Sequence, residues 1–428
     1  MEIKKNIQKQ ILARSLYVLS ALLVNVAIAR FTDAAATGSL FFATAIFSLI
    51  VLIGGMSLES ALGYFYAGKK IGAQQVILMA CFHITALLFL LLLIQFLFPH
   101  FFTTLSNGFI SGIYWFVFGT MLTNYFLSTL YSRKQYVKPN VIQTALNMLL
   151  IFTLWIEQSN HYPVSILFQT YFYFVLINGI GIFSIFIWNI KNEKVFIANK
   201  VKFTKVYQYA FQALWANVLF FLVYRLDYWF VHQYTTITEA GNYIQASKLA
   251  QMFILLPQFI APVIFNSVAT NAGTQQLHLW LIALMKLFLL LFVLLFCLLA
   301  IGGHYVFTLL LGNSFNDANN VLLLLMPGLF FLSCLNLLSA YFGGTNHIRI
   351  NMIGAALAAV IALVGNICII PFYSIYWAAL ISTLAYTVAA VWALYSYKKI
   401  NPSVSMALYS FNPSDWYAIR SIFNLKHE

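Results

Sequence analysis

Three charged residues lie inside long apolar stretches of this sequence. Arg225 and Asp227 fall near the end of one stretch, and Lys248 follows in the next, beyond a short polar turn at 235–241. An ionisable side chain is expensive within a bilayer, so such positions mark functional sites by default. Counted from the turn, Asp227 and Lys248 reach similar depths of roughly 12 Å, at 1.5 Å per helical residue. They could pair between two helices, which would leave Arg225 to find another carboxylate or a water-filled cavity.

Basic residues outnumber acidic ones in these apolar stretches. Five basic residues stand against two acidic ones, and the seven are Arg14, Arg30, Arg225, Lys248, Lys286, Glu59 and Asp227. A guanidinium presents a planar fork of donors that matches phosphate oxygens. The surplus of positive charge therefore predicts an anionic cargo, with Arg225 and Lys248 as its principal contacts.

A structural role is expected for the other three basic residues. Arg14, Arg30 and Lys286 lie nearer to the predicted membrane interfaces, which long basic side chains reach by snorkelling. Arg14 and Glu59 reach comparable depths near the cytoplasmic side and could pair between the first two helices. The three cations are further candidates for a binding cavity, but the two deeper ones are preferred.

Glycine and proline interrupt two helical stretches at matched positions. Gly54 and Gly55 lie within the second stretch, and Pro257 lies within the eighth, with Pro262 further along the same stretch. Paired interruptions in the two halves of a transporter point toward the substrate path. The alternative is that they only improve packing, because both residue types are common in membrane helices. On the first interpretation these four residues form a hinge.

The overall composition is that of an integral membrane protein. Of the 428 residues, 62% are hydrophobic and only 8% are charged, and the mean hydropathy is +0.86. A soluble globular domain carries roughly three times as many charged residues. The formal charge of +13 does not indicate nucleic-acid binding, because the basic residues lie between apolar segments instead of on one exposed face. The cysteines and histidines lack metal-ligand spacing and no catalytic motif is present, so we expect no enzyme activity, cofactor or metal site.

Breaks in hydropathy divide the chain into twelve candidate membrane helices. A bilayer core of about 30 Å requires about 20 apolar residues per helix. The apolar run after the basic N-terminus is long enough to cross the membrane, so we expect it to be retained rather than cleaved as a signal peptide. By the length criterion the spans are roughly 11–30, 38–66, 75–98, 110–131, 140–157, 163–190, 207–233, 240–268, 278–301, 319–342, 351–371 and 374–397.

The chain contains one structural plan twice. A shift of 203 positions lays Gly241 on Gly38, and a shift of 211 lays Arg349 on Lys138. An even number of helices in each half means that both halves enter the membrane from the same side, as parallel repeats. We therefore predict an all-α integral membrane protein of two six-helix repeats. The predicted segments are an N-terminal lobe at 1–190, a linker at 191–205, a C-terminal lobe at 206–397 and a tail at 398–428.

Lysine and arginine alternate between the loops. They concentrate at the N-terminus, in alternate loops and in the tail, and positively charged loops stay in the cytoplasm. Both termini are therefore predicted to be cytoplasmic. The linker combines clustered lysines with valine and phenylalanine, which suits an amphipathic segment lying on the anionic inner leaflet.

Asparagines recur within the predicted spans. In a membrane helix an Asn side chain bonds to a neighbouring helix or lines a polar cavity, which here could accept sugar. Bonds between helices are the expected role. The residues are Asn25, Asn124, Asn147, Asn217, Asn336 and Asn366.

Several segments, taken in order, resemble one transporter family. The first helix ends in Ala29-Arg30, Gly38 opens the next, and the second half begins with RLDYWFVHQYTTITEAGNYIQASK. Further along follow LLGNSFNDANNVLLLLMPGLFF, YFGGTNHIRINMIG and NICIIPFYSIYWAALIST. Over nearly the whole chain this order resembles the polysaccharide flippases of the O-antigen and teichuronic-acid type, within the multidrug, oligosaccharidyl-lipid and polysaccharide exporter superfamily. Tyr376 and Trp377 depart from the family's usual small residues, which affects packing of the last helix.

The resemblance implies a V-shaped transporter whose two lobes rock against each other. It implies that an undecaprenyl-diphosphate-linked oligosaccharide moves from the inner to the outer leaflet of the bacterial cytoplasmic (inner) membrane by alternating access, for surface polysaccharide biosynthesis. The implied partners are membrane lipid, a polysaccharide polymerase and glycosyltransferases, and no nucleic acid. Cavities in this family are often cationic, which agrees with Arg225 and Lys248.

Two other functions compete with this one. The alternative from the same superfamily is a cation-coupled antiporter of drugs or small molecules. Such transporters typically place an acid in the middle of the first helix, and the segment from Leu16 to Ala29 contains none. The second alternative is an enzyme, a polysaccharide polymerase or ligase that acts at the outer face of the membrane. It would need a large outer loop, whereas the outward connections here are short and nearly uncharged.

Overall fold

The structure, a computed structural model, describes residues 2–191, 202–270 and 275–402. In this part of the chain the regular structure is helical. Helices satisfy every backbone polar group internally, which hydrocarbon surroundings require. The helices up to the linker are α1 (Glu2–Phe31), α2 (Ala34–Gly54), α3 (Leu58–Ala67), α4 (Ala73–Leu97), α5 (Pro99–Leu105), α6 (Ile110–Ser132), α7 (Val137–Ser159) and α8 (Val164–Lys191). Those beyond it are α9 (Phe203–Tyr234), α10 (Ile237–Thr270), α11 (Gln275–Leu311), α12 (Ala318–Gly344), α13 (Ile348–Ile369) and α14 (Ile375–Ile400).

Each predicted membrane span has a helix at its place. Ten of the described helices are long and apolar enough to cross a membrane, and the pair α5–α6, bent by 63°, would make an eleventh. The predicted second span is divided into α2 and α3. The predicted eighth span corresponds to α10, which has 34 residues but is not among the described helices that are apolar enough to count as spans. The chain is therefore a multi-pass membrane protein, as its composition predicted.

The chain divides into two compact units, Met1–Phe221 and Leu222–Glu428. The division falls within α9 rather than in the predicted linker, of which residues 192–201 lie outside the described part, as does most of the predicted tail, 403–428. The first half of α9 packs on the first unit. Tyr209 stacks on Tyr64 with ring centroids 4.9 Å apart, and the Asn217 amide donates to the Ser57 hydroxyl at 3.1 Å.

Several helix pairs pack in the same way in both units. In the first unit α6 packs against α3, α4 and α8, and in the second unit α12 packs against α10, α11 and α14. The last two helices of each unit, α7 with α8 and α13 with α14, also pack together. These pairs are equivalent in chain order, so the repeat read from the sequence is present in the packing. The predicted all-α duplicated fold is confirmed.

The second predicted span is broken at the expected glycines. Helix α2 ends at Gly54, and α3 begins only at Leu58. Between them Met56 and Ser57 have φ values of 52° and 49°, the left-handed region in which side chains other than glycine are strained. A Cβ atom on Gly54 would come within 2.5 Å of Leu87 Cδ1. Glycine therefore lets α4 approach the end of α2 closely.

Helix α10 differs from this pattern. It continues from Ile237 to Thr270 through both Pro257 and Pro262, so the interruption expected at Pro257 does not end the helix. A proline removes one backbone hydrogen bond, and the turns on either side can maintain the helix when neighbouring groups satisfy the freed carbonyl. Helix α10 is thus not broken at the position that corresponds to the break between α2 and α3.

Candidate functional site

Arg225 is held in a fixed position on α9. Its Nη1 donates to the Tyr228 hydroxyl at 3.1 Å and its Nη2 donates to Gln251 Oε1 on α10 at 3.0 Å. The guanidinium carbon also lies 5.0 Å from the centre of the Tyr228 ring, a cation–π distance. Tyr228 and Gln251 are neutral and orient the guanidinium, while the Asp227 carboxyl is also near enough to interact with it electrostatically.

Lys248 is the second basic residue at this place. It lies on α10 three residues before Gln251, so the two side chains share one face of the helix. The Lys248 side chain lies near enough to Arg225 for the two groups to interact electrostatically. The structure therefore brings together the two cations that the sequence analysis preferred.

Asp227 is almost fully buried, with 4% of its surface exposed. Its Oδ2 accepts hydrogen bonds from the Tyr243 hydroxyl of α10 and from Ser382 Oγ of α14, the latter at 3.2 Å. Its Oδ1 accepts from the Tyr228 backbone N–H at 3.0 Å. A buried carboxylate needs such donors, because losing water without replacement is costly. Asp227 thus ties three helices together, and its ion pair with Lys248 stays a prediction.

Sequence reasoning missed the residues that hold this site. Gln251, Tyr243 and Ser382 are uncharged and lie in ordinary apolar stretches. Gln251, three residues after Lys248, could have been found by helical spacing alone. Nothing in the sequence indicated Ser382, which is 155 residues from Asp227 along the chain.

The other predicted cations lie elsewhere. Arg14 and Arg30 are exposed on α1, in the first unit, whereas Lys286 on α11 is only 3% exposed. Lys286 therefore lies inside the second unit and not at its surface, where snorkelling would place it. Glu59 is half-buried in α3, and its backbone carbonyl accepts from Ser128 Oγ at 2.8 Å. The Arg14–Glu59 ion pair stays a prediction.

The helix break of the first unit has its own polar contacts. The Tyr125 hydroxyl donates to the Gly55 carbonyl at 3.2 Å, and Ser57, which is 1% exposed, accepts from Asn217. Such contacts hold the strained turn in place. Among the described residues no group of three or more His, Cys, Asp or Glu side chains could hold a metal ion.

Comparisons with known proteins identify the fold. No protein-family profile matches this sequence, and no curated protein matches it either. Among solved structures, the lipid II flippase MurJ in an inward closed conformation matches with a TM-score of 0.66 at 14% identity, over 97% of this chain and 95% of that chain. An inward-facing multidrug resistance MATE family transporter of the MOP superfamily gives 0.65 at 13% identity, over 90% and 95%. A mutant of the Vibrio cholerae MATE transporter VcmN gives 0.59 at 13% identity, over 94% and 98%.

The fold is therefore that of a two-lobe membrane transporter, as found in MurJ and in MATE transporters. This confirms the predicted fold class. At these identities the likeness concerns the fold alone, and the matched proteins include both a flippase and multidrug transporters.

Proposed function

We propose that this protein is a flippase that carries a lipid-linked oligosaccharide from the inner to the outer leaflet by alternating access. The proposed cargo is undecaprenyl diphosphate bearing a glycan repeat unit, for surface polysaccharide biosynthesis. The observation that carries the proposal is the Arg225 guanidinium, which neutral partners orient within a membrane helix while Lys248 lies beside it. The proposed location is the bacterial cytoplasmic membrane, with both termini inside.

A diphosphate suits this pair of cations. Tyr228 and Gln251 use two of the five N–H donors of Arg225. The rest of the planar fork can face the oxygens of a phosphate, with which it forms charge-assisted bonds. At an effective dielectric constant of about 20, opposite unit charges 4 Å apart attract by about 4 kcal/mol. A cationic drug would meet repulsion at the same place.

The proposed partners follow from this chemistry. Glycosyltransferases must assemble the glycan on its lipid before transport, and a polysaccharide polymerase must join the units afterwards. Membrane lipid surrounds the isoprenoid tail throughout. A direct reaction on the glycan is not part of the proposal, since the solved structures with this fold are a flippase and transporters.

A cation-coupled antiporter of drugs or small molecules is the second candidate, and Asp227 is the observation that favours it. A buried carboxylate surrounded by the hydroxyl oxygens of Tyr243 and Ser382 is a set of ligands that can hold a proton or a monovalent cation. The first helix, however, has no carboxylate between Leu16 and Ala29. We therefore prefer the flippase.

Removing the charge of Arg225 tests the proposal. Arg225→Gln and Lys248→Gln each keep a polar side chain but delete a cation, and loss of a charge-assisted hydrogen bond costs about 1.5–3 kcal/mol, or about 10–100-fold. The purified protein is reconstituted into vesicles that contain a fluorescently labelled undecaprenyl-diphosphate glycan. A quencher added outside the vesicles then reports how much of the labelled glycan has reached the outer leaflet. We expect both variants to slow transport by about tenfold or more.

Lys399→Gln is the matched control, because Lys399 is an exposed cation in the last turn of α14. It should transport at the wild-type rate. Equal rates for all three variants and the wild type would remove the cationic pair from the mechanism. Transport of an organic cation that depends on Asp227 but not on Arg225 would favour the antiporter instead.

A further inference from the structure

A polar cavity lies inside the first unit, among α1, α6, α7 and α8. Its volume is about 310 Å³. Side-chain amides dominate its polar lining, with Asn25 from α1, Asn124 from α6, Gln143 and Asn147 from α7, and Asn178 from α8. None of the described residues that line it carries a charge. Three of the six asparagines noted in the sequence thus meet at one place.

Several amide groups of the cavity are turned the same way. The Asn147 nitrogen donates to Ser20 Oγ at 2.9 Å, and the Asn178 nitrogen donates to Thr123 Oγ1 at 3.3 Å. The Asn25 nitrogen likewise donates to the backbone carbonyl four residues earlier, at 2.8 Å. The amide nitrogens of Asn25, Asn147 and Asn178 therefore each donate one hydrogen bond within the protein.

Two of these oxygens are buried acceptors that lack a donor. Gln143 is 2% exposed, and neither its Oε1 nor the Oδ1 of Asn178 accepts a hydrogen bond from any described residue. A buried acceptor without a donor is unfavourable, so the site favours a ligand that supplies hydroxyl or amide protons. Protein atoms cover both oxygens, and both residues line the cavity, so rotation of either side chain would bring its oxygen to a ligand there.

The chemistry of the lining selects the ligand class. With no charged residue it offers nothing to a phosphate or a divalent cation. Aromatic and aliphatic side chains, among them Tyr17, Tyr171 and Leu146, complete the wall, and a sugar ring packs its C–H face on such surfaces while its hydroxyls donate to amide oxygens. The volume lies at the lower end of ligand pockets, about 300–1,000 Å³. It suits one sugar ring and not a whole oligosaccharide.

We propose that this cavity binds one uncharged sugar unit of the glycan. The inference rests on the proposed flippase function and adds a site that selects for the glycan, separate from recognition of the diphosphate by Arg225. A bare monovalent cation fits less well, because the cavity has the volume of about ten water molecules, whereas an ion needs oxygens converging on one point.

Direct binding of free sugars tests the inference without transport. The full-length protein in lipid nanodiscs is titrated with neutral methyl glycosides of glucose, galactose and N-acetylglucosamine, and saturation-transfer NMR detects bound ligand. We expect saturable binding of at least one glycoside, with a Kd on the order of millimolar for so small a ligand. Gln143→Met and Asn178→Leu, which delete the unpartnered oxygens, should weaken it by about fivefold to tenfold.

Asn366→Leu is the matched control for these variants. Asn366 is fully buried in α13, and both of its amide atoms lack partners among the described residues, but it does not line the cavity. The control should bind sugar like the wild type. Gln143→Met and Asn366→Leu should melt at or above the wild-type temperature, because each removes an unpaired polar group, whereas Asn178→Leu also loses the bond to Thr123.

Three results would overturn the inference. The first is that no glycoside binds saturably, as for a cavity that holds water only. The second is that Gln143→Met, Asn178→Leu and Asn366→Leu all bind sugar equally. The third is that sodium or potassium alone occupies the site. If the protein binds sugar but does not transport the labelled lipid-linked glycan, the flippase function is refuted and the sugar site stands. If it transports the glycan but binds no sugar, the sugar site is refuted and the flippase function stands.

Discussion

Arg225 and Asp227 lie two residues apart on α9, and their partners differ in kind. Arg225 bonds to a glutamine and a tyrosine and is half-buried, whereas Asp227 is 4% exposed and bonds to donors on three helices. The Arg225 guanidinium is thus oriented by its neighbours, and the Asp227 carboxyl receives its hydrogen bonds from within the protein. We infer that Arg225 serves the cargo and that Asp227 first of all joins α9, α10 and α14.

The Tyr243 hydroxyl contributes to this joint, so its removal should destabilise the second unit. In Tyr243→Phe the buried carboxylate of Asp227 loses one of its donors, which costs about 1.5–3 kcal/mol for a bond to a charged group. We expect a melting temperature several degrees lower in detergent, followed by tryptophan fluorescence. Tyr395→Phe is the control, because Tyr395 is 61% exposed on α14, and it should melt like the wild type. Equal melting of both variants would contradict the structural role of the Tyr243–Asp227 bond.

The break between α2 and α3 shows how one element is shaped by close packing. Gly54 ends α2 against Leu87 of α4, and the next residues adopt a left-handed turn that Tyr125 and Asn217 hold in place. Non-glycine residues persist in this region only when their surroundings enforce it. The break is therefore a specific feature of the first unit, and a hinge at this place stays a prediction.

Gly54→Ala tests the packing at the break. The new methyl group would meet Leu87 Cδ1 at 2.5 Å, and overpacking of this kind costs about 1–3 kcal/mol. We expect a lower melting temperature, and Leu87→Ala should restore much of the loss in the double variant, as a double-mutant cycle measures. Gly302→Ala in α11 is the control. A Cβ there meets nothing within 4 Å, so this change should be neutral or slightly stabilising. Additive effects of Gly54→Ala and Leu87→Ala would contradict the contact.

At the scale of the molecule, the two units share several helix pairings but contain different polar sites. The first unit has the uncharged, amide-lined cavity, and the second has the cations Arg225 and Lys248 beside a buried acid. A duplicated fold supplies the same framework twice, and the side chains of each copy are free to diverge.

Orientation in the membrane can be tested by labelling single cysteines. Helix α7 has 23 residues, about 35 Å at 1.5 Å per residue, so its two ends should lie on opposite sides. In a background without the four native cysteines, Lys134→Cys, before α7, should react with a membrane-impermeant thiol reagent only after the cells are opened. His161→Cys, after α7, should react in intact cells. The opposite pattern would reverse the predicted topology.

Much of the fold was determined by sequence, because hydropathy and length are local properties. The predicted span at 140–157 corresponds to α7, Val137–Ser159, and the glycines at 54 and 55 marked the break correctly. Similar depths for Asp227 and Lys248 follow from counting along two helices, and the structure places Lys248 near Arg225. The predicted span at 240–268 runs through Pro257, as α10 does, and a hinge at this proline stays a prediction.

Only the tertiary structure decided which side chains meet. Asp227 depends on Ser382, 155 residues away, and the amide-lined cavity gathers residues from α1, α6, α7 and α8. Nothing local to Gln143 shows that its oxygen lacks a donor. Helices form from bonds within one segment, whereas a site depends on how side chains of distant segments pack and satisfy one another's hydrogen bonds, and no single stretch of sequence contains that information.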